Sequence, residues 1–270
     1  GGGVLTGVAD ERTGGSGVQA IDVLGNGTQY ADIKQTLTTV VGNWYYSETW
    51  GRKIQTFATL TFLGSNVSSA SSTWVKLFGT GRASATSSLL QLKTGNNLND
   101  EARFDDTSIK PLTAATLFRT INSNSADVLA EAAITGPTSG SYIQGGLVLN
   151  LDSATVPANF IIVYLDGAGN VKVDEAVAGV YTNKASTAVT YSAGAIMRAV
   201  RYGTSLDVYY NNAKVGSTLT MTANTNTKHG LFSTYSGNTF DNFVVWARGT
   251  GNEYSAIPAD DLTITRDTGT

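Results

Sequence analysis

Hydrophobic and polar residues alternate with a period of two along much of the chain, whereas the 3.6-residue period of an amphipathic helix is weak everywhere. Such alternation predicts half-buried strands, because successive side chains of a strand point to opposite faces. The clearest runs are rich in β-branched and aromatic residues and are bounded by turn residues. They are Val18–Val23, Ile54–Phe62, Ser88–Lys93 and Ala102–Ile109.

Short segments rich in Gly and Asn separate these runs and supply residues that tolerate a positive φ at hairpin tips. They are Gly25–Gly27, Asp166–Asn170, Tyr202–Ser205 and Asn211–Asn212. Short strands joined by such turns favour antiparallel β-sandwiches over parallel βαβ units. The sequence therefore predicts an all-β fold class.

A domain boundary is predicted at Lys110–Thr113, where a strand ends, a proline follows and a new set of strands begins at Leu117. The segments Phe104–Ile109 and Phe240–Val245 both open with Phe-Asp followed by Asp or Asn, which suggests two sandwiches of similar type. We therefore expect two tandem antiparallel β-sandwiches, over residues 1–112 and 113–250, followed by an extended C-terminal tail over residues 251–270.

Composition and charge narrow the possible functions. Only 14 % of the residues are charged, while 30 glycines, 37 threonines and 23 serines make up a third of the chain. Cys is absent and His occurs once, which excludes disulfides, thiol catalysis and multi-histidine metal sites. The net charge of −3 predicts no nucleic-acid groove, and no apolar run is long enough to span a membrane. Low charge and abundant hydroxyls are typical of secreted and virion-surface β proteins, so we expect an extracellular or virion-surface location.

Part of the second half resembles a known superfamily. The segments Ala199–Gly216, Lys228–Ser233 and Thr239–Val245 resemble hairpin and closing strands of concanavalin A-like lectins and glucanases, in their laminin-G-like branch. The resemblance covers roughly residues 115–250 and implies a concanavalin A-like sandwich there.

The first half resembles a jelly-roll carbohydrate-binding module over about residues 1–112. The segments that carry this resemblance are Gly14–Ile21, Val41–Arg52, Ser72–Phe78 and Phe104–Ile109. Together, the two resemblances imply a jelly roll followed by a concanavalin A-like domain, with a polysaccharide or cell-surface glycan as the expected partner.

Sugar binding commonly uses exposed aromatic rings, with polar side chains beside them to fix the hydroxyl groups. The candidate glycan-binding residues are Trp44, Tyr46, Trp50, Trp74, Tyr209 and Tyr235. The first three share one strand parity, so they point to one face, and the alternation leaves open whether that face is the core or the surface.

Calcium is implied by the jelly-roll resemblance, in which an Asp of the final strand commonly helps to bind a structural Ca²⁺ together with an acidic residue from an early segment. The matching positions are Asp105 or Asp106 with Glu11 or Asp10, and Asp241 with Asn242 would be the counterparts in the second half. The alternative interpretation is that these side chains accept hydrogen bonds from loop N–H groups.

Catalysis by paired carboxylates is not expected. The superfamily's glucanases carry Glu-x-Asp-x-x-Glu on one strand, and no such pattern occurs in this chain. Asp174 and Glu175 are adjacent and should point to opposite faces of a strand. Glu101 and Asp105 would lie about 13 Å apart on an extended strand, which is too far for either hydrolytic geometry. His229 is expected to be a packed or rim histidine.

The predicted function is a non-catalytic, glycan-binding surface recognition protein. It would belong to a phage virion, as a tail fibre, receptor-binding or decoration protein, or it would be a secreted adhesin. We expect it to form a homo-oligomer or to contact neighbouring structural proteins. Two alternatives remain open: a purely structural subunit of a virion or extracellular filament, and a polysaccharide-degrading enzyme.

Overall fold

The computed structural model describes residues 4–8, 20–26, 32–95, 97–248 and 254–257, and nearly all of the regular secondary structure in these residues is β-strand. The all-β prediction is confirmed. The chain divides into two compact units, Gly1–Leu112 and Thr113–Thr270. Both units are built from antiparallel strands packed as two sheets. In the described part of the chain, no helix is both long and apolar enough to cross a membrane.

The described residues of the first unit form nine strands. They are β1 (Val4–Val8), β2 (Ala20–Asn26), β3 (Asp32–Thr38), β4 (Trp44–Lys53), β5 (Ala58–Phe62), β6 (Ser65–Ser69), β7 (Val75–Arg82), β8 (Ser87–Lys93) and β9 (Leu98–Pro111). One sheet has the order β1-β2-β9-β4-β7 and the other the order β3-β8-β5-β6.

The core of the first unit lies between these two sheets. The five-stranded sheet contributes Tyr45, Leu77 and Phe104, and the four-stranded sheet contributes Leu60 and Phe62 among others. These residues occupy alternating strand positions, as the period of two requires. The predicted strand Ile54–Phe62 begins only at Ala58, because residues 54–56 form a bend after β4.

In the part of the second unit that the structure describes there are one short helix and thirteen strands. They are α1 (Ala114–Leu117), β10 (Phe118–Asn122), β11 (Val128–Thr135), β12 (Gly145–Leu151), β13 (Phe160–Leu165), β14 (Asn170–Val177), β15 (Val180–Ala188), β16 (Ala195–Tyr202), β17 (Ser205–Tyr210), β18 (Ala213–Lys214), β19 (Leu219–Thr220), β20 (Lys228–Ser233), β21 (Thr239–Arg248) and β22 (Tyr254–Ile257). The sheets have the orders β10-β20-β12-β13-β14-β15 and β18-β17-β16-β11-β21-β22, and β19 pairs with β17.

The core of the second unit again lies between its sheets, with Leu149 and Val163 on one side and Ala130, Met197 and Val208 on the other. The strands β12 and β13 are buried along their whole length. On the side of the six-stranded sheet away from this core, aromatic rings pack with centroids 5.3–5.7 Å apart. They are Phe118, Phe160, Tyr164, Tyr181 and Phe232.

The two Phe-Asp segments noted in the sequence have the same local structure. The register of β9 shifts against β4 just after Asp105, and that of β21 shifts against β11 just after Asp241. The following residues, Asp106 and Asn242, have φ angles of 46° and 52°. Each Asp accepts a hydrogen bond from the N–H of the next residue, at 2.9 and 2.8 Å respectively. The Phe-Asp motif therefore forms a β-bulge in each unit, and the carboxylate of the Asp accepts the N–H that the bulge leaves unpaired.

Part of the predicted C-terminal tail is paired rather than free, since β22 forms an antiparallel pair with β21. The turns at Asp166–Asn170, Tyr202–Ser205 and Asn211–Asn212 all connect paired strands, as expected. Gly25 and Asn26 instead belong to β2. Gly27 and most of the predicted tail lie outside the described residues.

His229 is fully buried and serves the fold of the second unit. Its Nδ1 accepts the N–H of Asn150 at 3.3 Å, so Nε2 carries the proton and donates to the carbonyl of Ser125 at 2.9 Å. Burial lowers the pKa of His229 to about 4, although the hydrogen bond to Ser125 opposes that shift. The imidazole is therefore neutral at pH 7 and structural, as the sequence predicts.

The depressed pKa of His229 makes the stability of the second unit depend on pH. The unfolded chain binds a proton at about pH 6.5 and the folded chain only at about pH 4. We expect the free energy of unfolding to fall by roughly 3 kcal/mol between these values as the pH is lowered. Amide exchange in β20, measured against pH, checks this expectation. The variant His229→Gln keeps a donor for Ser125 and should lack the pH-dependent loss, so identical pH profiles would contradict the assignment.

Candidate functional site

The alternation along β4 separates a core face from a second face that carries most of the predicted aromatic residues. Tyr45, Ser47 and Thr49 are buried on the core side. Their neighbours Tyr46, Glu48, Trp50 and Arg52 are half-buried on the opposite side. The strand β7 pairs with β4 and places Lys76 opposite Trp50 and Phe78 opposite Glu48. We call these six side chains, with Trp74 just before β7, the β4–β7 face.

Aromatic and guanidinium groups pack against one another on this face. The rings of Tyr46 and Phe78 stack with centroids 6.1 Å apart and planes 28° apart. The guanidinium of Arg52 lies 5.2 Å from the ring centroid of Trp74. The Trp74 indole N–H is buried and has no acceptor within the part of the chain that the structure describes. The rings are thus fixed by their neighbours, which preorganises the face for a flat ligand.

Glu48 connects the polar groups of the β4–β7 face. Its carboxylate accepts hydrogen bonds from the Tyr46 hydroxyl at 3.0 Å and the Ser108 hydroxyl at 3.1 Å, and Lys76 Nζ lies at 2.7 Å. Burial raises the pKa of Glu48, but Lys76 and the two hydroxyls outweigh this and hold it below its ordinary value. The carboxylate is therefore ionised and fixed at neutral pH.

The structure brings only some of the predicted aromatics together. Trp44 is only 4 % exposed, with Arg82 over its ring at 5.9 Å, so its ring is not presented for stacking. Tyr209 lies on β17 in the second unit, with Tyr210 pointing into the core, as alternation requires. Tyr235 lies in the loop between β20 and β21. Tyr46, Trp50 and Trp74 are the predicted residues that share one face.

Sequence reasoning missed three members of the β4–β7 face, namely Arg52, Lys76 and Phe78. The alternation of Lys76, Phe78 and Thr80 in β7 was visible, but a single sequence does not reveal which strand pairs with β4 or in which register. Knowledge of that pairing would have placed Lys76 and Phe78 beside Trp50 and Glu48.

The carboxylates proposed for calcium have other partners. Asp105 is buried, and one of its oxygens accepts the N–H of Asp106. Asp241 is exposed and accepts the N–H of Asn242. Glu11 and Asp10 lie outside the described residues. Among the residues that are described, no group of three or more His, Asp or Glu side chains could hold a metal ion. Asp105, Asp106 and Asp241 alone do not supply the six to eight oxygens that Ca²⁺ takes, so the calcium site stays a prediction.

The adjacent carboxylates of β14 face in different directions. Asp174 accepts hydrogen bonds from the Tyr164 hydroxyl and the Asn183 amide. Glu175 accepts the N–H of Thr222 and lies 3.4 Å from Lys184 Nζ. Since the two carboxylates contact different sets of groups, they do not form the facing pair that glycoside hydrolysis requires.

Comparisons with known proteins give distant structural neighbours. No protein-family model matches the sequence, and no curated protein matches it. A carbohydrate binding module, CBM66 from Bacillus subtilis, is similar with a TM-score of 0.36 and 16 % identity, over 47 % of this chain and 76 % of that one. Sheep galectin-11 in complex with glycerol is similar with a TM-score of 0.35 and 6 % identity, over 48 % of this chain and 96 % of that one. At these scores the likenesses carry no statement about what this chain binds.

Replacing the Glu48 carboxylate should weaken the first unit. In Glu48→Gln the pairing with Lys76 is lost, and we expect about 1 kcal/mol less stability at pH 7. The native carboxylate's contribution exists above its ordinary pKa and disappears as the pH falls below the lowered folded pKa, so the stabilities of the two proteins should converge as the pH is lowered. Urea unfolding followed by tryptophan fluorescence measures this, because three of the four Trp residues lie in the first unit.

The matched control for this prediction is Glu101→Gln, which removes a longer contact of 3.5 Å to Arg103 on β9. Its effect should be smaller. A loss in Glu48→Gln that is equal at pH 7 and pH 3 would show that the charge of Glu48 does not stabilise the face.

Proposed function

We propose that this chain is a non-catalytic glycan-binding protein that acts at an extracellular or virion surface. The observation that supports this most is the β4–β7 face, where three or more aromatic rings lie beside fixed charged groups. Aromatic rings offer an apolar surface to the C–H face of a pyranose ring. Carboxylate, ammonium and guanidinium groups beside them can accept from or donate to the sugar hydroxyls.

The layout of the face favours an extended glycan over a single sugar. Tyr46 and Trp50 lie on one face of β4 four residues apart, which corresponds to about 13 Å along the strand. Trp74 extends the aromatic surface across to the start of β7, opposite Arg52 and diagonal to Trp50. A polysaccharide could therefore contact several rings at once.

The surface setting is supported by composition. Few charges, no Cys and many hydroxyl-bearing residues are compatible with a phage tail fibre, a receptor-binding or decoration protein, or a secreted adhesin. We keep this setting, a structural calcium and homo-oligomerisation as parts of the proposal, and the experiment below includes an arm for calcium.

The test is retention of the full chain on a panel of polysaccharides, with and without a calcium chelator. We expect binding to at least one polysaccharide and at least tenfold weaker binding by Trp50→Ala, which corresponds to about 1.4 kcal/mol. Trp74→Ala should weaken the same interaction. Loss of binding on chelation would support the calcium site, whereas unchanged binding would remove calcium from the proposal.

Tyr202→Ala is the control, because it removes an aromatic ring that is 53 % exposed in the second unit and distant in sequence from the β4–β7 face. Near-ultraviolet circular dichroism verifies that each variant is folded. Equal retention of native protein, Trp50→Ala and Trp74→Ala would contradict the assigned face. Rings or filaments by electron microscopy without any retention would favour the structural-subunit alternative, and release of reducing sugar would favour the enzyme.

A further inference from the structure

A small open cleft of about 240 Å³ lies in the second unit, between the end of β14 and the segment that follows β19. It is lined by Asn159 and Glu175 on one side and by Thr222, Ala223, Asn224 and Thr225 on the other. None of the aromatic residues of the β4–β7 face belongs to it, so what it binds can be tested separately.

The wall of the cleft is fixed at Thr222. Its N–H donates to Glu175 Oε1 at 2.6 Å, and its carbonyl accepts from Arg201 Nη2 at 3.0 Å. Glu175 belongs to β14 of one sheet and Arg201 to β16 of the other. The main-chain N–H and carbonyl of one residue, Thr222, are therefore held by an acid and a base from the two sheets of the sandwich.

The same wall is fixed a second time by Asn150. The carbonyl of Asn150 accepts from Asn224 Nδ2 at 3.0 Å, and its own Nδ2 donates to the carbonyl of Asn226 at 2.8 Å. Asn226 in turn donates through its N–H and its side-chain amide to Asn224 Oδ1. These bonds order the 222–226 segment without a helix or strand, so the cleft is largely formed before a ligand arrives.

Groups for a ligand remain available in this wall. The Thr222 and Thr225 side chains are exposed, and their hydroxyls make no hydrogen bond within the described chain. Val177 and Ala223 are also exposed and give the cleft an apolar side. Behind the wall, Asn150 Oδ1 and Arg201 Nε and Nη1 are buried without a hydrogen-bond partner in the described part of the structure. Buried polar groups of this kind are uncommon and are often satisfied by an ordered water.

The charges around the cleft are balanced. Glu175 is 5 % exposed, and its carboxylate faces Lys184 Nζ at 3.4 Å as well as the Thr222 N–H. Arg201 is fully buried and attracted by the charges of Glu175 and Asp127. A single paired carboxylate does not suit Ca²⁺, and a guanidinium that lies behind a peptide and beside an acid does not suit a free anion.

We propose that this cleft binds one neutral sugar residue. The hydroxyl groups of Thr222 and Thr225 would fix its hydroxyls, and Ala223 with Val177 would contact its apolar face. A cleft of this volume is smaller than the roughly 300–1,000 Å³ of sites for drug-sized ligands, which limits it to about one ring. The site is distinct from the β4–β7 face and would provide a second point of contact with a glycan.

Titration of the isotope-labelled full chain with glucose, galactose, mannose and fructose, each alone, tests this proposal by NMR. We expect one of them to shift the amide signals of residues 222–226 and Val177. Because an open cleft contacts only one sugar residue, the dissociation constant should be about 1–10 mM. The variant Ala223→Phe fills the cleft and should weaken binding at least tenfold. Thr225→Val removes one hydroxyl at constant shape and should weaken it less, while Thr190→Val, an exposed Thr outside the cleft, should have no effect.

No shift at residues 222–226 with any of the four sugars up to about 100 mM would overturn the proposal, since such binding would be too weak to matter. Equal shifts in Ala223→Phe and the native chain would overturn it too, as would shifts produced by Ca²⁺ or phosphate alone and by none of the sugars. Trp50→Ala should leave these titrations unchanged. Failure of polysaccharide retention through the β4–β7 face and failure of sugar binding at the cleft are therefore separate results.

Discussion

The end of the second unit that forms the cleft depends on one buried amide, Asn150. It is fully buried and has a φ of 52° where the register of β12 shifts against β20. Its main chain bonds to His229 and Asn224, and its side chain bonds to the carbonyls of Ala126 and Asn226. Pairing of its main chain and its Nδ2 offsets the cost of burying these groups, and the same hydrogen bonds connect β12, β20 and two loops. An apolar residue at position 150 would leave these carbonyls without a donor.

At the two bulges after Asp105 and Asp241, a polar group that the sheet leaves unpaired is satisfied by the side chain of the preceding residue. A bulge leaves an N–H unpaired, and a carboxylate one residue earlier is close enough to accept it. The rule needs a short acidic side chain followed by a residue that tolerates positive φ, and the sequence has Asp-Asp at one bulge and Asp-Asn at the other. Acceptance of the bulge N–H by the Asp carboxylate is a sufficient reason for the Phe-Asp motif to occur in both units, and it requires no metal.

Local patterns in the sequence were enough to predict the all-β class, parts of four strands and three of the four hairpin turns. Period-two alternation placed Tyr46, Glu48 and Trp50 on one face, because alternation depends only on neighbours along the chain. It did not show that Lys76 and Phe78 would lie beside them, because the pairing of β4 with β7 is a long-range choice among similar strands. The alternation also did not predict the cleft. The wall of the cleft is the 222–226 segment, which is not a strand and is ordered by three residues that are distant in sequence, Glu175, Arg201 and Asn150.

In both candidate sites, a buried or half-buried carboxylate is paired with a lysine. Glu48 is paired with Lys76 on the first, and Glu175 with Lys184 on the second. Paired charges keep their hydrogen-bonding geometry but exert little long-range field, so they neither attract ions strongly nor steer a charged partner. In a chain with only 14 % charged residues, recognition must then come from shape, ring contacts and hydrogen bonds at short range. A neutral ligand rich in hydroxyls satisfies these conditions, and an ionic one does not.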